Sequence, residues 1–351
     1  MNPVPRLSVI MPAFQAEALL PDTLAALAAS DLPRHHWELV VVDDGSRDRT
    51  AEVAGRWADR VVRREGPPAG PGAARNRGAE ASTADWLVFV DADVRVHPDT
   101  LRRFVEAIAA HPDVDAIFGA YDDAPPAPGF LSAYRNLLHR YVHLQSRGEA
   151  ETFWAGCGAV RRSAFEAVGG FDAARYPRPQ IEDIDLGYRL RDAGYRVLLQ
   201  PEIVGTHLKR WELGGAIRTD LFDRGIPWVR LLLERRSLAR PAPLNLKPGE
   251  RLKVAAVGLA VALALLAAVT RRPEFLAGAG AALLGVTLAN LPLLVWFARQ
   301  RGLGFALAVI PANLAYYLTS GLAVVGGVAG HLRDRALARR PPAPVPGLPG
   351  R

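Results

Sequence analysis

Three long apolar segments fill the C-terminal part of the chain and constrain its fold more than any other feature. Leu252 to Thr270, Phe275 to Ala298 and Leu303 to Ala329 are almost free of charged residues. Each is near the roughly 20 residues that a helix needs to cross a bilayer, and each is rich in the glycine and alanine that allow close helix contacts in lipid. The segments predict two or three transmembrane helices, with three favoured; a buried helical core is the alternative.

The basic residues around these segments give conflicting indications of topology. Three spans would place His331 to Arg340, with its four arginines, on the side opposite the N-terminal part, against the tendency of basic loops to stay in the cytoplasm. Met1 to Arg6 lacks a signal-peptide pattern, and the single Cys157 cannot form an internal disulfide. We expect a multi-pass protein of the plasma (inner) membrane with a cytoplasmic N-terminal part. Basic residues before the first segment also indicate a cytoplasmic start: Arg235, Arg236, Arg240, Lys247, Arg251 and Lys253.

Strand-like and helix-like patterns alternate in the first half of the chain. This alternation is typical of an α/β fold whose mostly parallel sheet is flanked by helices. Ligands of such folds bind beyond the carboxyl ends of the strands, so we expect the polar residues there to lie at one edge. The predicted strands are Leu7–Met11, Glu38–Val42, Arg60–Arg63, Trp86–Val90, Val114–Gly119 and Arg196–Leu199; the predicted helices are Ala16–Ala29, Arg49–Trp57, Gly72–Ala81 and Asp99–Ala110.

Asp91-Ala92-Asp93 follows the apolar strand Trp86–Val90. In extended backbone, residues two apart point the same way, so both carboxylates face one small volume. Two anions this close repel each other unless a cation lies between them, and such oxygen ligands suit Mg²⁺ or Mn²⁺ shared with substrate phosphates. The pattern therefore predicts a metal site, with a solvated strand end as the alternative.

Two loops beyond other strands carry residues suited to a nucleotide. Asp43 and Asp44 end the second strand, where carboxylates can accept hydrogen bonds from a base or ribose; a turn followed by a helix cap is the alternative. Gly70 to Asn76 opens a helix with a glycine-rich start. Backbone amides at such a start favour a phosphate, and Arg75 adds a cation there.

The second half holds three further candidate segments. Phe153 to Gly158 contains small residues that let a ligand approach the backbone. Glu182 and Asp183 begin a helix, where a carboxylate can act as general base for an acceptor hydroxyl, although the helix dipole favours acids there in any case. His207 precedes Lys209-Arg210-Trp211 and can complete a metal ligand set, or be an ordinary surface or core histidine.

Taken together, these motifs resemble the family 2 glycosyltransferases, which are inverting enzymes of the GT-A fold. The resemblance covers Leu7 to Trp211. Ser8 to Phe14 is similar to the family's first strand, Val42 to Thr50 to its nucleotide-base motif, and Asp91 to Asp93 to its metal motif. His207 to Trp211 is similar to the Gln-x-x-Arg-Trp motif of processive members, but with histidine in place of glutamine. That difference favours single-sugar transfer over polymer synthesis.

The resemblance implies a role for each matched residue. Asp183 would be the catalytic base, with Glu182 beside it. The metal, Mn²⁺ or Mg²⁺, would be held by Asp93 with Asp91 and His207. Gly156, Arg210 and Trp211 would lie toward the diphosphate and the acceptor. The remaining residues would contact the nucleotide of a nucleotide-sugar donor: Pro12, Phe14, Glu17, Asp43, Asp44, Arg75, Asp91 and Ala92.

The same analysis divides the chain into four parts. Residues 1–210 are expected to form the GT-A catalytic domain, 251–330 the membrane helices, and 331–351 a basic, proline-rich tail without fixed structure. Residues 211–250 include a basic amphipathic stretch suited to the membrane interface. That stretch favours a lipid or lipid-linked acceptor; a helix packed on the domain with a solvated face is the alternative.

Three other functions fit parts of the pattern. A polyprenyl-phosphate glycosyltransferase would use an acceptor that is already ionised, so Glu182 and Asp183 weigh against it. A membrane-tethered nucleotide-binding protein without activity would not need Asp93, Asp183 and His207. A nicotinamide-dependent oxidoreductase would depend only on the loose glycine pattern at residues 70–72. With hydrophobic residues at 50 % and a net charge of +7, nucleic acid is not an expected partner.

Overall fold

The N-terminal half of the protein is built on one nine-stranded mixed sheet. The computed structural model describes residues 6–235 and 247–338. The strands are β1 (Leu7–Ala13), β2 (Trp37–Asp43), β3 (Arg60–Arg63), β4 (Trp86–Val90), β5 (Val94–Val96), β6 (Ala116–Tyr121), β7 (Gly148–Glu149), β8 (Cys157–Arg161) and β9 (Val197–His207).

The sheet has a parallel half and a mixed half. Along the sheet the strands run in the order β3-β2-β1-β4-β8-β6-β9-β5, and β7 pairs with β9. Strands β3, β2, β1 and β4 are parallel, as expected from their continuous apolar sequences. The prediction of a mostly parallel sheet holds only for this half, because β8 returns antiparallel to both β4 and β6 and β5 returns antiparallel to β9.

Thirteen α-helices are present among the described residues. Those of the sheet domain cover its two faces, where separate apolar clusters form around β1, β4, β6 and β8. The helices are α1 (Leu20–Ala28), α2 (Thr50–Ala54), α3 (Pro71–Glu80), α4 (Thr100–Ala110), α5 (Phe130–Leu144), α6 (Arg162–Ala167), α7 (Glu182–Asp192), α8 (Leu213–Arg218), α9 (Ile226–Glu234), α10 (Pro248–Thr270), α11 (Glu274–Ala289), α12 (Leu291–Arg301) and α13 (Leu303–Ala338).

The predicted elements of the sheet domain agree with these bounds apart from their ends. β3 and β4 match the prediction residue for residue. α1 starts four residues later than predicted, since the chain forms a turn after β1. β9 extends eight residues beyond the predicted Leu199 and reaches His207. Pro201 lies inside it, and the sequence pattern alone does not carry a strand through a proline.

A π-helix, Thr219–Gly225, links α8 to α9. α9 lies between the sheet domain and the C-terminal helices. Nε1 of Trp228 donates to the hydroxyl of Tyr188 on α7 at 3.2 Å. On its other side, a Cβ on Gly326 of α13 would lie only 2.9 Å from Cδ1 of Ile226. The basic amphipathic stretch therefore packs on both the domain and a C-terminal helix.

Two of the C-terminal helices, α10 and α13, are long and apolar enough to cross a membrane. The second predicted segment is broken into α11 and α12, which meet at an angle of 58° and together form a third candidate span. The break falls at Asn290, two residues before Pro292, which cannot continue a hydrogen-bonded helix.

The predicted tail begins inside a helix, because α13 continues to Ala338. Residues 331–338 were expected to lack fixed structure, and this part of the prediction is wrong. The rest of the predicted tail, residues 339–351, lies outside the described residues, as do the basic residues Arg236 and Arg240.

Candidate active site

The carboxyl ends of β1, β2 and β4 open on a cavity of about 1630 Å³. It lies where the parallel half of the sheet meets the mixed half, the usual ligand position in open α/β sheets. Most of the residues selected from the sequence line it: Pro12, Phe14, Asp44, Arg75, Asp91, Ala92, Asp93, Glu182, Asp183, His207 and Trp211.

Strand pairing brings His207 to Asp93, although they are 114 positions apart in the sequence. β5 pairs antiparallel with the end of β9, and Val94 lies opposite His207. The amide of Leu208 donates to the carbonyl of Asp93 at 2.8 Å. As a result Nε2 of His207 lies 3.5 Å from Oδ2 of Asp93.

The two aspartates of the motif have opposite electrostatic surroundings. Burial and the nearby charge of Asp93 raise the pKa of Asp91, against the opposing effect of Arg75. Burial acts in the same sense on Asp93, but hydrogen bonding and charge from His207 outweigh it and hold the pKa of Asp93 below its usual value. Asp93 is therefore the more readily ionised carboxylate of the pair.

The carboxylate of Asp93 and the ring nitrogen of His207 are suited to bind a divalent ion only if a substrate completes its coordination. Among the described residues, no group of three histidine, cysteine, aspartate or glutamate side chains is placed to hold a metal ion. The 3.5 Å between Asp93 Oδ2 and His207 Nε2 is close to the roughly 3 Å between neighbouring ligands of an octahedral Mg²⁺ or Mn²⁺ site. Such ions commonly use one or two carboxylates plus substrate phosphates.

Arg75 is buried, lines the cavity and joins β4 to α7. Nη2 donates to Oδ1 of Asp91 at 2.6 Å, and Nη1 donates to Oε1 of Glu182 at 3.0 Å. Its Nε has no hydrogen-bond partner among the described residues.

Asp183 lies at the first turn of α7 and faces the cavity. Its carboxylate accepts hydrogen bonds from the amides of Ile184 at 2.8 Å and Ala155 at 3.3 Å. Burial, followed by the charge of neighbouring Glu182, raises the pKa of Asp183 to about 6. A carboxylate with this pKa is ionised at neutral pH and more basic than an ordinary aspartate, which suits a general base.

The acids of the predicted nucleotide loop make internal contacts. Asp43 is fully buried, and its carboxylate accepts a hydrogen bond of 2.9 Å from the amide of Ser46. This contact stabilises a turn, which was the alternative interpretation of the loop. Asp44 lines the cavity, but its carboxylate accepts from the amides of Ala69 and Gly70 and from Arg64 Nε. Gly70 has a φ of +91°, and a Cβ there would meet the backbone of Pro177 at 2.8 Å.

Besides Asp43, three residues that were expected to contact a ligand lie off the cavity wall. Glu17 forms an ion pair with Arg49 beside a separate small pocket. Gly156 accepts from the amide of Asp91 at 3.2 Å, and a Cβ there would contact the Trp154 ring at 2.6 Å. Its small size therefore accommodates Trp154. Arg210 is exposed, whereas its neighbour Lys209 lines the cavity.

Sequence analysis did not identify the aromatic group beside His207. The Tyr121 ring stacks on the His207 ring with centroids 4.3 Å apart and planes 11° apart. His139 lies 4.4 Å from Tyr121, and Trp154 lies 4.8 Å from it. These residues come from β6, α5 and the loop before β8, so no local pattern marks them as neighbours.

The cavity continues from the acids to the C-terminal helices. Its far wall includes Arg224 of the π-helix, Trp228 of α9, Val254 of α10 and Gly321 of α13. Hydrophobic and small side chains dominate this end, whereas the end near β4 is charged. One continuous space thus connects the carboxylates to helices long and apolar enough for a membrane.

Comparison with known proteins agrees with this arrangement. Residues 8–169 match the model of Glycosyl transferase family 2. Glycosyltransferase AglE of Haloferax volcanii is 29 % identical over 217 residues, which cover 59 % of this chain and 68 % of that protein. Validoxylamine A glucosyltransferase of Streptomyces hygroscopicus subsp. limoneus is 29 % identical over 234 residues, covering 58 % of this chain and 51 % of that protein.

The fold has a solved counterpart. A mannosyltransferase of Pyrobaculum calidifontis, determined in complex with GDP-Man and Mn²⁺, superposes with a TM-score of 0.58 at 22 % identity, over 94 % of this chain and 88 % of that one. This likeness shows a GT-A-like fold. The family match and the named glycosyltransferase relatives show that the protein is a sugar-transferring enzyme. Its region from β1 to the end of α6 belongs to the family 2 glycosyltransferases. The matched region spans about half the length of the validoxylamine A glucosyltransferase.

Proposed function

We propose that the protein transfers a single sugar, with inversion, from a nucleotide-sugar donor to a hydroxyl of a lipid or lipid-linked acceptor. The observation that carries this proposal is the continuous cavity from Asp93 and Asp183 to α10 and α13. A lipid acceptor would enter from the apolar end, and the donor would bind at the charged end. The catalytic domain (1–210) would lie in the cytoplasm, attached to the plasma membrane by the segments that follow.

The reaction is one displacement at the anomeric carbon. The acceptor oxygen forms a bond to that carbon while the bond to the diphosphate oxygen breaks, and the nucleoside diphosphate leaves. Asp183 takes the proton of the acceptor hydroxyl, a role supported by its position in the cavity and its raised pKa. Glu182, the residue before Asp183, forms an ion pair of 3.0 Å with Arg75, and this pair fixes the start of α7.

Asp93 and His207 would hold Mn²⁺ or Mg²⁺, with Asp91 beside them. A bound ion of this kind supplies positive charge for the leaving diphosphate. Lys209 adds a second cation to the same side of the cavity. Phe14 and Pro12 border the cavity at the end of β1, where the exposed Phe14 ring offers a surface on which a base can stack.

The proposal is tested with the full-length protein purified in detergent. A panel of radiolabelled nucleotide sugars is incubated with the enzyme and a lipid extract of its host membranes, with and without Mn²⁺. Transfer of label to chloroform-extractable product only in the presence of a divalent ion is the expected result. Label found solely in water-soluble acceptors, or transfer that is insensitive to chelator, would overturn the lipid or the metal part respectively.

The role of Asp183 is tested by substitution. We expect Asp183→Asn to lower turnover by about 10²–10⁴-fold while the dissociation constant of the donor stays unchanged. Asp22→Asn is the matched control, because Asp22 is exposed at the start of α1 and away from the cavity. Transfer by Asp183→Asn within tenfold of the unsubstituted enzyme would exclude the role of general base.

Arg224 favours a second candidate acceptor, a lipid phosphate. It lines the cavity, and no carboxylate among the described residues forms an ion pair with it. Its charge nevertheless acts on Asp183 and Lys209, so it lies within electrostatic reach of the proposed base. An ionised phosphate would bind there without needing a base. Transfer to a polyprenyl phosphate that survives in Asp183→Asn but is lost in Arg224→Gln would favour this candidate over a hydroxyl acceptor.

A further inference from the structure

The N-terminal end of α13 is attached to the sheet domain. The Phe305 ring lies 5.0 Å from the Phe130 ring at the start of α5. Two turns later, Asn313 accepts a hydrogen bond of 3.2 Å from the hydroxyl of Tyr134. α5 is itself fixed to the sheet, because Asn136 and Arg140 donate to the carbonyls of Asp122 and Tyr121 at 2.8 Å.

The C-terminal end of α13 is attached to the same domain through α9. Asp334 forms an ion pair with Arg230. A Cβ on Gly327 would lie 2.6 Å from Cβ of Val229, so the two helices are in close contact there. α9 in turn packs on α7, where Leu231 and Leu232 join Ile181 and Tyr188 in one buried cluster.

The middle of α13 meets the base of a helical hairpin. α10 and α11 pack side by side in opposite directions, joined by the short loop that holds Arg271 and Arg272. The hydroxyl of Tyr317 donates to Oε2 of Glu250 at 2.8 Å and lies 3.1 Å from Oδ1 of Asn290. Glu250 is in the first turn of α10, and Asn290 follows the last residue of α11.

These contacts do not fit a helix that stands across the bilayer. α13 has 36 residues, and Phe305 and Asp334 lie about 44 Å apart along its axis. The hydrocarbon layer is about 30 Å thick. If α13 followed the bilayer normal, α5 and α7 would lie near opposite membrane surfaces, and the charged sheet domain between them would be immersed in lipid.

One face of α13 is apolar and uncovered along the helix. Leu307, Leu318 and Leu332 have exposures of 57 %, 40 % and 59 %. They fall within about 40° of one another around the helix, on the side away from the residues that contact the domain. The stripe continues through exposed Leu322 and Val325. Exposed apolar residues at helical spacing beside membrane helices fit the acyl layer of a bilayer.

We propose that α13 lies in the plane of the membrane surface, with this stripe in the acyl layer, and that the α10–α11 hairpin crosses the bilayer. The domain, both ends of α13 and the base of the hairpin are then on one side, and Arg271 and Arg272 are on the other. This inference concerns membrane attachment and stands whatever sugar or acceptor the enzyme uses.

The arrangement also removes the conflict in the distribution of basic residues. With α13 in the plane, Arg299 and Arg301 at the end of α12 and Arg333 and Arg335 near the end of α13 lie on the cytoplasmic side. Among the described basic residues near the C-terminal helices, only the two arginines of the hairpin loop lie outside. The excess of basic residues is then cytoplasmic, as the distribution of lysine and arginine in membrane proteins favours.

The sidedness is tested by labelling single cysteines in the full-length protein with a membrane-impermeant maleimide. The native Cys157 is fully buried and does not compete. Arg335→Cys and Arg272→Cys are compared in right-side-out and inverted vesicles, with the exposed Arg77→Cys of α3 marking the side of the domain. We expect the maleimide to label Arg335→Cys in the same vesicle orientation as Arg77→Cys. Arg272→Cys should be labelled in the opposite orientation. Labelling of Arg335→Cys in the same vesicle orientation as Arg272→Cys would overturn the proposal.

The depth of the helix is measured separately in reconstituted vesicles. Nitroxide labels on Leu307→Cys, Leu318→Cys and Leu332→Cys are compared by accessibility to oxygen and to a water-soluble nickel complex. An in-plane helix places all three at one depth, within about one helical pitch of 5 Å. A spanning helix separates the first and last labels by about 37 Å and makes the middle one deepest. That depth profile would also overturn the proposal.

Discussion

Nη2 of Arg75 donates a hydrogen bond of 2.6 Å to Oδ1 of Asp91, so the strand that carries the metal motif is joined to a buried guanidinium. The same group holds Glu182 at 3.0 Å. One cation thus sets the distance between the end of β4 and the start of α7, the two elements that carry Asp93 and Asp183. The position of the proposed base relative to the proposed metal site depends on this buried bridge.

We expect Arg75→Met to destabilise the protein by about 3–5 kcal/mol, because it leaves the buried carboxylate of Glu182 and the half-buried carboxylate of Asp91 without their partner. Arg77→Met, on the same helix, removes an exposed pair with Glu80 and should change stability by less than about 1 kcal/mol. Melting temperatures of both variants in detergent, followed by intrinsic fluorescence, make the comparison. Equal melting temperatures would show that the bridge adds nothing to stability.

The sequence was sufficient to locate the strand ends and the acids that follow them. Short apolar runs such as Trp86–Val90 specify buried strands, and the carboxyl ends of parallel strands necessarily meet at one edge. The sequence was not sufficient to predict the ion pairs of Arg75. Its partner Glu182 is 107 residues away, and a glycine-rich helix start also fits a phosphate. Tyr121 was missed for the same reason, since its neighbours come from three separate elements.

Hydropathy could not decide the position of α13. A helix that crosses a membrane and one that lies in its surface against a protein domain both need long apolar sequences. What distinguishes them is which residues contact the domain, and those contacts join Phe305 to α5 and Asp334 to α9. Such pairings depend on the tertiary arrangement and leave no periodic signal in the chain.

The raised pKa of Asp183 predicts the pH dependence of turnover. Burial and the charge of Glu182 raise this pKa to about 6. A general base works only when ionised, so kcat should be constant above this value and should fall about tenfold per pH unit below it. Initial rates at saturating donor and acceptor across the acid range provide the measurement. A kcat that stays constant well below pH 6 would exclude Asp183 as the group whose ionisation limits the rate.

The stacked pair of Tyr121 and His207 predicts that an aromatic ring is needed to orient the metal ligand. We expect Tyr121→Leu to weaken Mn²⁺ binding by about 10–100-fold, the usual loss when a group supporting a ligand is removed. Tyr121→Phe keeps the stacking and should bind Mn²⁺ as the unsubstituted protein does. Electron paramagnetic resonance of free Mn²⁺, titrated in the presence of nucleoside diphosphate, gives both affinities. Loss of affinity in Tyr121→Phe would mean that the hydroxyl, and not the ring, matters.

Phe14 is the residue through which base recognition is best tested. Its side chain lines the cavity yet is 48 % exposed, whereas the Asp44 carboxylate already accepts hydrogen bonds from Ala69 and Gly70. A base stacked on the ring would contribute about 1–3 kcal/mol, so Phe14→Ala should raise the nucleotide dissociation constant by about 5- to 150-fold. Phe222→Ala removes a similarly exposed ring outside the cavity and should leave the nucleotide dissociation constant unchanged. Calorimetric titration with the nucleoside diphosphate compares them; an unaltered constant for Phe14→Ala would assign base recognition to Asp44 and the loop that it fixes.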